Sequence, residues 1–271
     1  MAAGVVAEDL VKTGVQGGCG NHTALLPGRP FLNLVQGGKR REHDSLDLFA
    51  AKAPMLPDAD VYAAAKRLDQ RYAYRFFKRL FDITFSALVL VLLSGPMLLV
   101  ALAIKLDSPG PALFKQKRVS KGGRRFYIWK FRSMYQNAEK RLPELRKLNE
   151  KDGPVFKIKD DPRITRVGRF IRKTSIDELP QFFNVLVGDI SVVGPRPALP
   201  SEVARYTERH QQRLLVKGGI TCYWQTRRNR DYISFDDWVS LDLLYVKQCS
   251  LWADLKLIIQ TIGVILTAQG N

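Results

Sequence analysis

The run Ile83-Thr84-Phe85-Ser86-Ala87-Leu88-Val89-Leu90-Val91-Leu92-Leu93-Ser94-Gly95-Pro96-Met97-Leu98-Leu99-Val100-Ala101-Leu102-Ala103-Ile104 carries no charge over 22 residues and has Gly95-Pro96 in its middle. At the helical rise it is long enough to cross a bilayer. Proline, however, removes a backbone donor and its ring clashes with the preceding turn, so a straight spanning helix is disfavoured at Pro96. Each half alone is too short to span. Arg75, Lys78 and Arg79 precede the run, and Lys105, Lys115, Lys117 and Arg118 follow it. Basic flanks on both sides direct both ends to the cytoplasmic face. The pattern favours a re-entrant anchor whose membrane bend is Ser94, Gly95 and Pro96. The alternative is a Pro-kinked spanning helix, which membranes tolerate.

The remaining composition narrows the partners. A chain of 271 residues with 46% hydrophobic content forms one or two domains and can build a core beyond the anchor. Its formal net charge of +17 points to anionic partners. Beside a membrane segment, basic residues are drawn to anionic lipid by about 1 kcal/mol each. No finger, RNA-recognition or helix-turn-helix signature is present, so no nucleic acid is expected as a partner. Cys19, Cys222 and Cys249 lie too far apart for a zinc or disulfide framework, and His210 is the single histidine beyond the anchor. Histidine-based catalysis is poorly supported. The apolar run also begins too late for a signal peptide.

Along the chain, residues 1 to about 58 scatter Gly, Pro and charge without a sustained period, which reads as a poorly ordered extension. A helical pattern opens at Asp58 and runs towards the anchor, and Asp107-Ser108-Pro109-Gly110-Pro111 stops the anchor. Ala112 to Met134 reads as a β-hairpin around Lys121-Gly122-Gly123, with Gln116, Lys117, Arg118, Arg124, Arg125, Lys130 and Arg132 crowding its polar positions. A charged helix is expected over 138–148, then one opened by Asp161 as N-cap with Pro162 in its first turn. Further helices are expected near 178–187, 200–215 and 234–248, with a short strand from Ser191. The stretch Leu251 to Leu266 repeats Leu255, Ile258, Ile259, Ile262 and Leu266 at helical spacing, which suits either an interfacial helix or a core-packing one.

Chemistry concentrates at Ser175-Ile176-Asp177-Glu178-Leu179-Pro180-Gln181. Ser175 with Glu178 matches a capping box, and Asp177 as N-cap would put Pro180 in the first turn, where donors are spare. Either way two carboxylates stand at a helix N-terminus among cations, an arrangement that capping alone usually explains. Lys130, Arg132, Arg163, Arg166, Arg172 and Arg196 surround this segment in the pattern, and arginine supplies fork-shaped donors suited to phosphate oxygens. Gly194-Pro195-Arg196-Pro197 would hold one such fork on a stiff turn. No phosphate loop, dinucleotide fingerprint or nucleophile elbow occurs.

Arg79-Leu80-Phe81-Asp82, the Pro-interrupted anchor, Asp107-Ser108-Pro109-Gly110-Pro111, Lys130-Phe131-Arg132-Ser133-Met134, Ser175-Ile176-Asp177-Glu178-Leu179, Asn184-Val185-Leu186, Gly188-Asp189 and Gly194-Pro195-Arg196-Pro197 occur in this order. Together, from about residue 75 to the end, they resemble the bacterial sugar transferases, the small monotopic phosphoglycosyl transferases. The resemblance implies transfer of a sugar 1-phosphate from a UDP-sugar to a polyprenyl (undecaprenyl) phosphate, with Mg²⁺ as cofactor and UMP released. It implies Asp177 as nucleophile, Glu178 as a further catalytic group and Mg²⁺ ligand, and Arg196 in the Gly-Pro-Arg-Pro turn. Arg172, Lys130 and Arg132 are added here as phosphate-binding side chains. A carboxylate with a reference pKa near ~3.9 is ionised at neutral pH and can attack without a base. Cations must offset the repulsion between it and the diphosphate.

Three departures from the family pattern stand out. Gly95 separates Ser94 from Pro96, which puts a side-chain bond across the bend in question. Gly218 stands where proline is more usual, and Trp224 to Arg230 lacks a customary glycine. The reading that results is an α+β membrane protein: a re-entrant membrane helix plus a cytoplasmic, mostly helical catalytic domain with a β-hairpin. Residues 1–74 are expected as a variable, partly disordered extension, 75–108 as the anchor and 109–271 as the catalytic domain. The expected location is the bacterial inner membrane, cytoplasmic face, with UDP-sugar, polyprenyl phosphate and membrane lipid as partners; a homodimer is one assembly this admits. The rival is a non-catalytic, membrane-tethered scaffold that binds acidic lipid, with a nucleic-acid tether as a weaker third.

Overall fold

The computed structural model describes residues 57–227 and 232–266. The extension expected over residues 1–56, and the end of the Trp224 to Arg230 segment, lie outside the described residues. Asp58 accepts the Asp60 N–H at 2.9 Å and caps helix α1 (Ala59–Gln70). The helical pattern does not run unbroken into the anchor. Arg71 leaves helical geometry (φ −83°, ψ 71°) and donates to the Cys249 carbonyl at 3.0 Å, after which α2 (Tyr72–Leu92) starts afresh.

Helix α3 (Ser94–Asp107) follows after the single residue Leu93, and the two helices are bent by 61°. The bend falls at Leu93, just before Gly95-Pro96. Pro96 then sits in the first turn of α3, where its missing N–H costs no helical bond. The Ser94 hydroxyl donates to the Val91 carbonyl at 2.8 Å, so the inserted Gly95 does not abolish a side-chain bond across the bend. Among the described residues no single helix is long and apolar enough to cross a membrane, whereas this bent pair is so when taken together.

Both ends of the pair are fastened to the same body. On α2, buried Asp82 accepts the Ser191 hydroxyl and the Val192 N–H, both at 3.0 Å. Arg79 donates to the Val185 and Leu186 carbonyls, and Lys78 bonds Asp254 at 2.8 Å. On α3, Ile104 is buried and Asp107 accepts the Val167 N–H at 3.1 Å. The motif Arg79-Leu80-Phe81-Asp82 is thus a docking device. Between the docked ends the pair exposes Leu88, Val91, Leu92, Leu98, Leu99 and Leu102.

The hairpin forms as expected, with β1 (Leu113–Val119) antiparallel to β2 (Arg125–Phe131), Leu113 opposite Phe131 and Val119 opposite Arg125. The charged helix expected over 138–148 contracts to α4 (Leu142–Leu145) and one 3₁₀ turn, because Pro143 occupies its first turn and cannot extend it backwards. Asp161 is not an N-cap. It is buried against Arg163 at 2.6 Å, and Ile164 bridges Met134, which holds the chain extended until Thr165 caps α5 (Arg166–Lys173) through the Gly168 N–H at 2.9 Å. After α6 (Gln181–Val187) and β3 (Ser191–Val193), the helix expected near 200–215 breaks into α7 (Pro200–Val203), α8 (Glu208–Gln211) and a 3₁₀ turn. Strand β4 (Gly219–Thr221) runs parallel to β3, and α9 (Phe235–Gln248) and α10 (Leu251–Leu266) follow.

The main core gathers Val61, Val185, Ile190, Val239, Tyr245 and Leu257 from α1, α6, α9, α10 and the approach to β3. Helix α10 combines both readings of its sequence. Leu257 and Ile258 are in the core, while Trp252, Leu255, Ile259 and Ile262 are exposed. Beneath α9 lies an ion pair of Arg213 with Asp242, whose carboxylate is fully buried and also accepts the Cys222 thiol at 3.1 Å. Arg213→Met strands that charge and is expected to cost about 3–5 kcal/mol in unfolding experiments. Pairing it with Asp242→Leu should recover much of the loss; a double variant no better than the single contradicts this.

Candidate active site

The segment linking α5 to α6 obeys neither local capping rule. Ser175 takes a left-handed conformation (φ 57°), the one non-glycine residue to do so among the described residues, and its side chain caps nothing. Ile176–Glu178 forms a 3₁₀ turn, and Pro180 itself occupies the N-cap of α6. Both the Ser175–Glu178 capping box and the Asp177 cap are therefore overturned. Ile176 packs against the small core of Ile104, Ala112, Phe131 and Ile171, and that anchorage dictates the turn. A left-handed serine costs on the order of 1–2 kcal/mol, the kind of strain that tertiary contacts must hold in place. Released from capping, both carboxylates face cations.

Strand β2 turns Phe126, Ile128 and Lys130 inward, and Lys130 Nζ donates to Glu178 Oε1 at 2.7 Å. From the other side comes Arg196, after β3. A side chain at Gly194 would meet the Lys217 carbonyl oxygen at 2.4 Å, so glycine there allows the turn to lie against the segment before β4. Gly218 has its own reason: its N–H donates to the Ser120 hydroxyl at 3.0 Å, a bond that proline could not make. Arg118, Lys130, Glu178, Gln181, Arg196 and Pro197 line a cleft with Ile128, Gly219, Ile220 and Gln225. Arg172, in the last turn of α5, adds its field to Asp177.

The two carboxylates differ. Burial raises Asp177 to about 6; Lys130 opposes this and the charge of Glu178 adds to it. Burial also works against ionisation of Glu178, but Lys130 and Arg196 outweigh it and hold that carboxylate down at about 2. Adjacent carboxylates with separated titrations suit a division of roles.

Asp177, Glu178, Lys130, Arg172 and Arg196 are thus brought together, while Ser94, Gly95 and Pro96, expected to form the bend, lie apart in the first turn of α3 just after it. Arg132 is not in the cleft. Its guanidinium is buried on the carbonyls of Ser108 (2.7 Å) and Pro109, where it caps the end of α3. Its reading as a phosphate ligand is corrected on that ground. Arg118 and Gln181 line the cleft without having been assigned to it from sequence. Arg118 shares the inward face of β1 with Phe114 and Gln116, a face set by the register of Gln116 and Arg118 against Ile128 and Phe126 of β2.

Among the described residues no three His, Cys, Asp or Glu side chains cluster as a metal site. Mg²⁺ asks less, being held through one or two carboxylates plus substrate phosphates. Glu178 beside an Asp177 whose negative charge is poorly compensated fits that donor set.

The domain docks both ends of an apolar helix pair and sets Glu178 in a cleft among lysine and arginine, with buried Asp177 beside it. The family model described as bacterial sugar transferase matches residues 73–268, and the chain belongs to that family. It is 43% identical over 200 residues to a galactosyl transferase, CpsE, of Streptococcus agalactiae serotype III (74% of this chain, 44% of that one). It is 44% identical over 203 residues to the undecaprenyl-phosphate galactose phosphotransferase of Salmonella typhimurium (72% and 42%). To the UDP-glucose:undecaprenyl-phosphate glucose-1-phosphate transferase of Escherichia coli K12 it is 40% identical over 196 residues (69% and 40%). The matched region spans 40–44% of the length of these relatives.

Proposed function

We propose that the protein transfers a sugar 1-phosphate from a UDP-sugar to undecaprenyl phosphate in two displacements. An Asp177 oxygen attacks the phosphorus that bears the sugar; the bond to the UMP oxygen breaks and UMP departs with its electron pair. A phosphate oxygen of the acceptor then attacks the same phosphorus, the aspartyl bond breaks, and Asp177 is regenerated as polyprenyl diphosphate-sugar leaves. The observation that carries this reading is Asp177 itself, buried beside Glu178 with Lys130, Arg172 and Arg196 acting on its charge.

The cations have a defined task. Attack brings a carboxylate towards a diphosphate, and preorganised positive charge lowers the cost in a site shielded from water. Lys130 and Arg196 face the cleft where the leaving phosphate would lie. Mg²⁺, held by Glu178 with Asp177 nearby, would supply charge neutralisation for the phosphate oxygens.

The acceptor requires a site at the membrane surface, and the apolar, bent helix pair supports that reading. From docked Asp82 to the bend at Leu93 is about 16 Å of helix, as is the return from the bend to buried Ile104, at about 1.5 Å per residue. With a bend of 61° and both ends at one surface, each arm slants about 60° from the bilayer normal and reaches about 8 Å deep, well inside one leaflet of a hydrocarbon core of about 30 Å. In this reading the pair, with both ends fastened to one body, enters and leaves by the same leaflet, and its basic flanks support the cytoplasmic side of the inner membrane.

Two experiments test the reading. Purified protein in lipid nanodiscs with undecaprenyl phosphate is expected to release UMP from at least one of a panel of UDP-sugars; release from none contradicts the proposal. With Cys19 replaced by Ser, Lys66→Cys and Lys115→Cys variants flank the pair at exposed positions, and the native Cys222 and Cys249 are buried. An impermeant thiol reagent is expected to label both from the same side. Labelling from opposite sides would show a spanning helix.

A further inference from the structure

We propose that Arg118 binds a phosphate oxygen of the substrate in the cleft, through a guanidinium donor that is unpaired among the described residues. This rests on the transfer reaction proposed above and adds a substrate-binding residue to it. Arg118 is 7% exposed, on the inward face of β1, and lines the cleft with Lys130, Glu178 and Arg196. Its Nη1 donates to the Pro197 carbonyl at 3.0 Å and its Nη2 to Gln116 Oε1 at 2.6 Å. The third donor, Nε–H, is buried and has no partner among the described residues.

A buried charged donor without an acceptor is costly, and native folds retain one where something else completes it. The missing partner is an anion. Arg118 already stands against Arg196, and burial followed by that neighbour pushes its guanidinium down to about 10. A further cation there would raise the cost, whereas a phosphate oxygen would relieve both arginines at once. The Pro197 and Gln116 bonds fix the plane of the guanidinium, so its free edge is preorganised, which lysine cannot reproduce. The Pro197 contact also braces the turn that carries Arg196; Gln116→Leu leaves that contact in place, so a loss of affinity in that variant reports binding and not bracing.

The measurement is the affinity of the full chain in nanodiscs for UMP and for a short-chain prenyl phosphate, with wild type and Arg118→Lys compared. The variant keeps the charge and loses the Nε donor. Loss of about ten- to hundredfold in affinity for either ligand is expected. Loss for UMP alone assigns the contact to the nucleotide phosphate, and loss for the prenyl phosphate alone to the acceptor. Wild-type affinity for both overturns the proposal while leaving the transfer reaction standing. Should Arg118→Lys fold poorly, Gln116→Leu decides: it frees the guanidinium plane and is expected to weaken the same ligand about three- to tenfold, and unchanged affinity overturns the proposal. A wild-type chain that binds neither ligand fails the transfer reaction itself.

Discussion

Asp177→Asn is expected to lower UMP release from UDP-sugar by at least about 10⁴-fold and to raise the stability of the protein. The rate loss follows from removing the attacking oxygen, since knocking out a nucleophile costs more than any supporting contact. The stability gain follows from the site's electrostatics. In the folded state Asp177 titrates near 6 against an ordinary value of 3.8. A group whose folded value is raised binds its proton more tightly when folded, so stability falls as pH rises from about 4 to 6 and the penalty is complete above that. About two pKa steps correspond to about 3 kcal/mol at neutral pH. The amide carries no such penalty, so the variant should melt several degrees higher at pH 7.5, and the difference should vanish near pH 3.5. Thermal unfolding at the two pH values checks this; equal melting at pH 7.5 would mean that the charge is already compensated. In the wild type, ionisation of Asp177 also predicts an acidic limb in the rate near pH 6.

Lys130→Met is expected to lower transfer by about 10²–10³-fold and to move that acidic limb upward. Lys130 is the main attractive charge on both carboxylates. Without it both values rise, so less of Asp177 is ionised at neutral pH and the rate falls away at a higher pH than in wild type. The magnitude is that of removing one preorganised electrostatic donor from a desolvated site. Glu178 gives a second readout. Its folded value is lowered, so the stabilisation from its pair with Lys130 is present above pH 4.5 and fades as pH falls towards 2. The variant should therefore lose stability at neutral pH and little of it in acid. A rate profile that keeps its limb near pH 6 would mean that Lys130 does not govern the nucleophile.

Much of this was legible from residue patterns, for reasons that also explain what was not. The hairpin announced itself because Phe114 on one strand and the alternating Phe126 and Ile128 on the other flank a Gly-Gly turn. The helix pair was legible because proline chemistry is local. The turn at Asp177 was not, because a capping box is a local rule and here lost to a distant contact, the burial of Ile176 against Ile104 and Phe131. Arg132 misled for a related reason. It shares the parity of Lys130, but β2 ends at Phe131, and beyond the strand parity no longer aims a side chain. Arg118 was hidden by the reverse effect. Lys115, Gln116, Lys117 and Arg118 are all polar, so β1 alone does not reveal which face is inward, and only its register against β2 does.

The residues from Arg79 to Asp82 read as a motif without an evident task and prove to be a clasp. Arg79 satisfies the last carbonyls of α6, and Asp82 ties α2 to β3, directly before the turn bearing Arg196. The bent helix pair and the cation-bearing turn are thereby held in one frame, as the proposed reaction requires of an acceptor that must meet a buried carboxylate.

The most direct test of that frame is a single turnover without acceptor. Protein mixed with UDP-sugar, Mg²⁺ and no polyprenyl phosphate should release close to one UMP per chain, and the peptide carrying Asp177 should gain the mass of one phosphosugar, lost again when acceptor is added. Multiple turnovers in the presence of acceptor, with no adduct on Asp177 and no burst of UMP in its absence, would contradict the account.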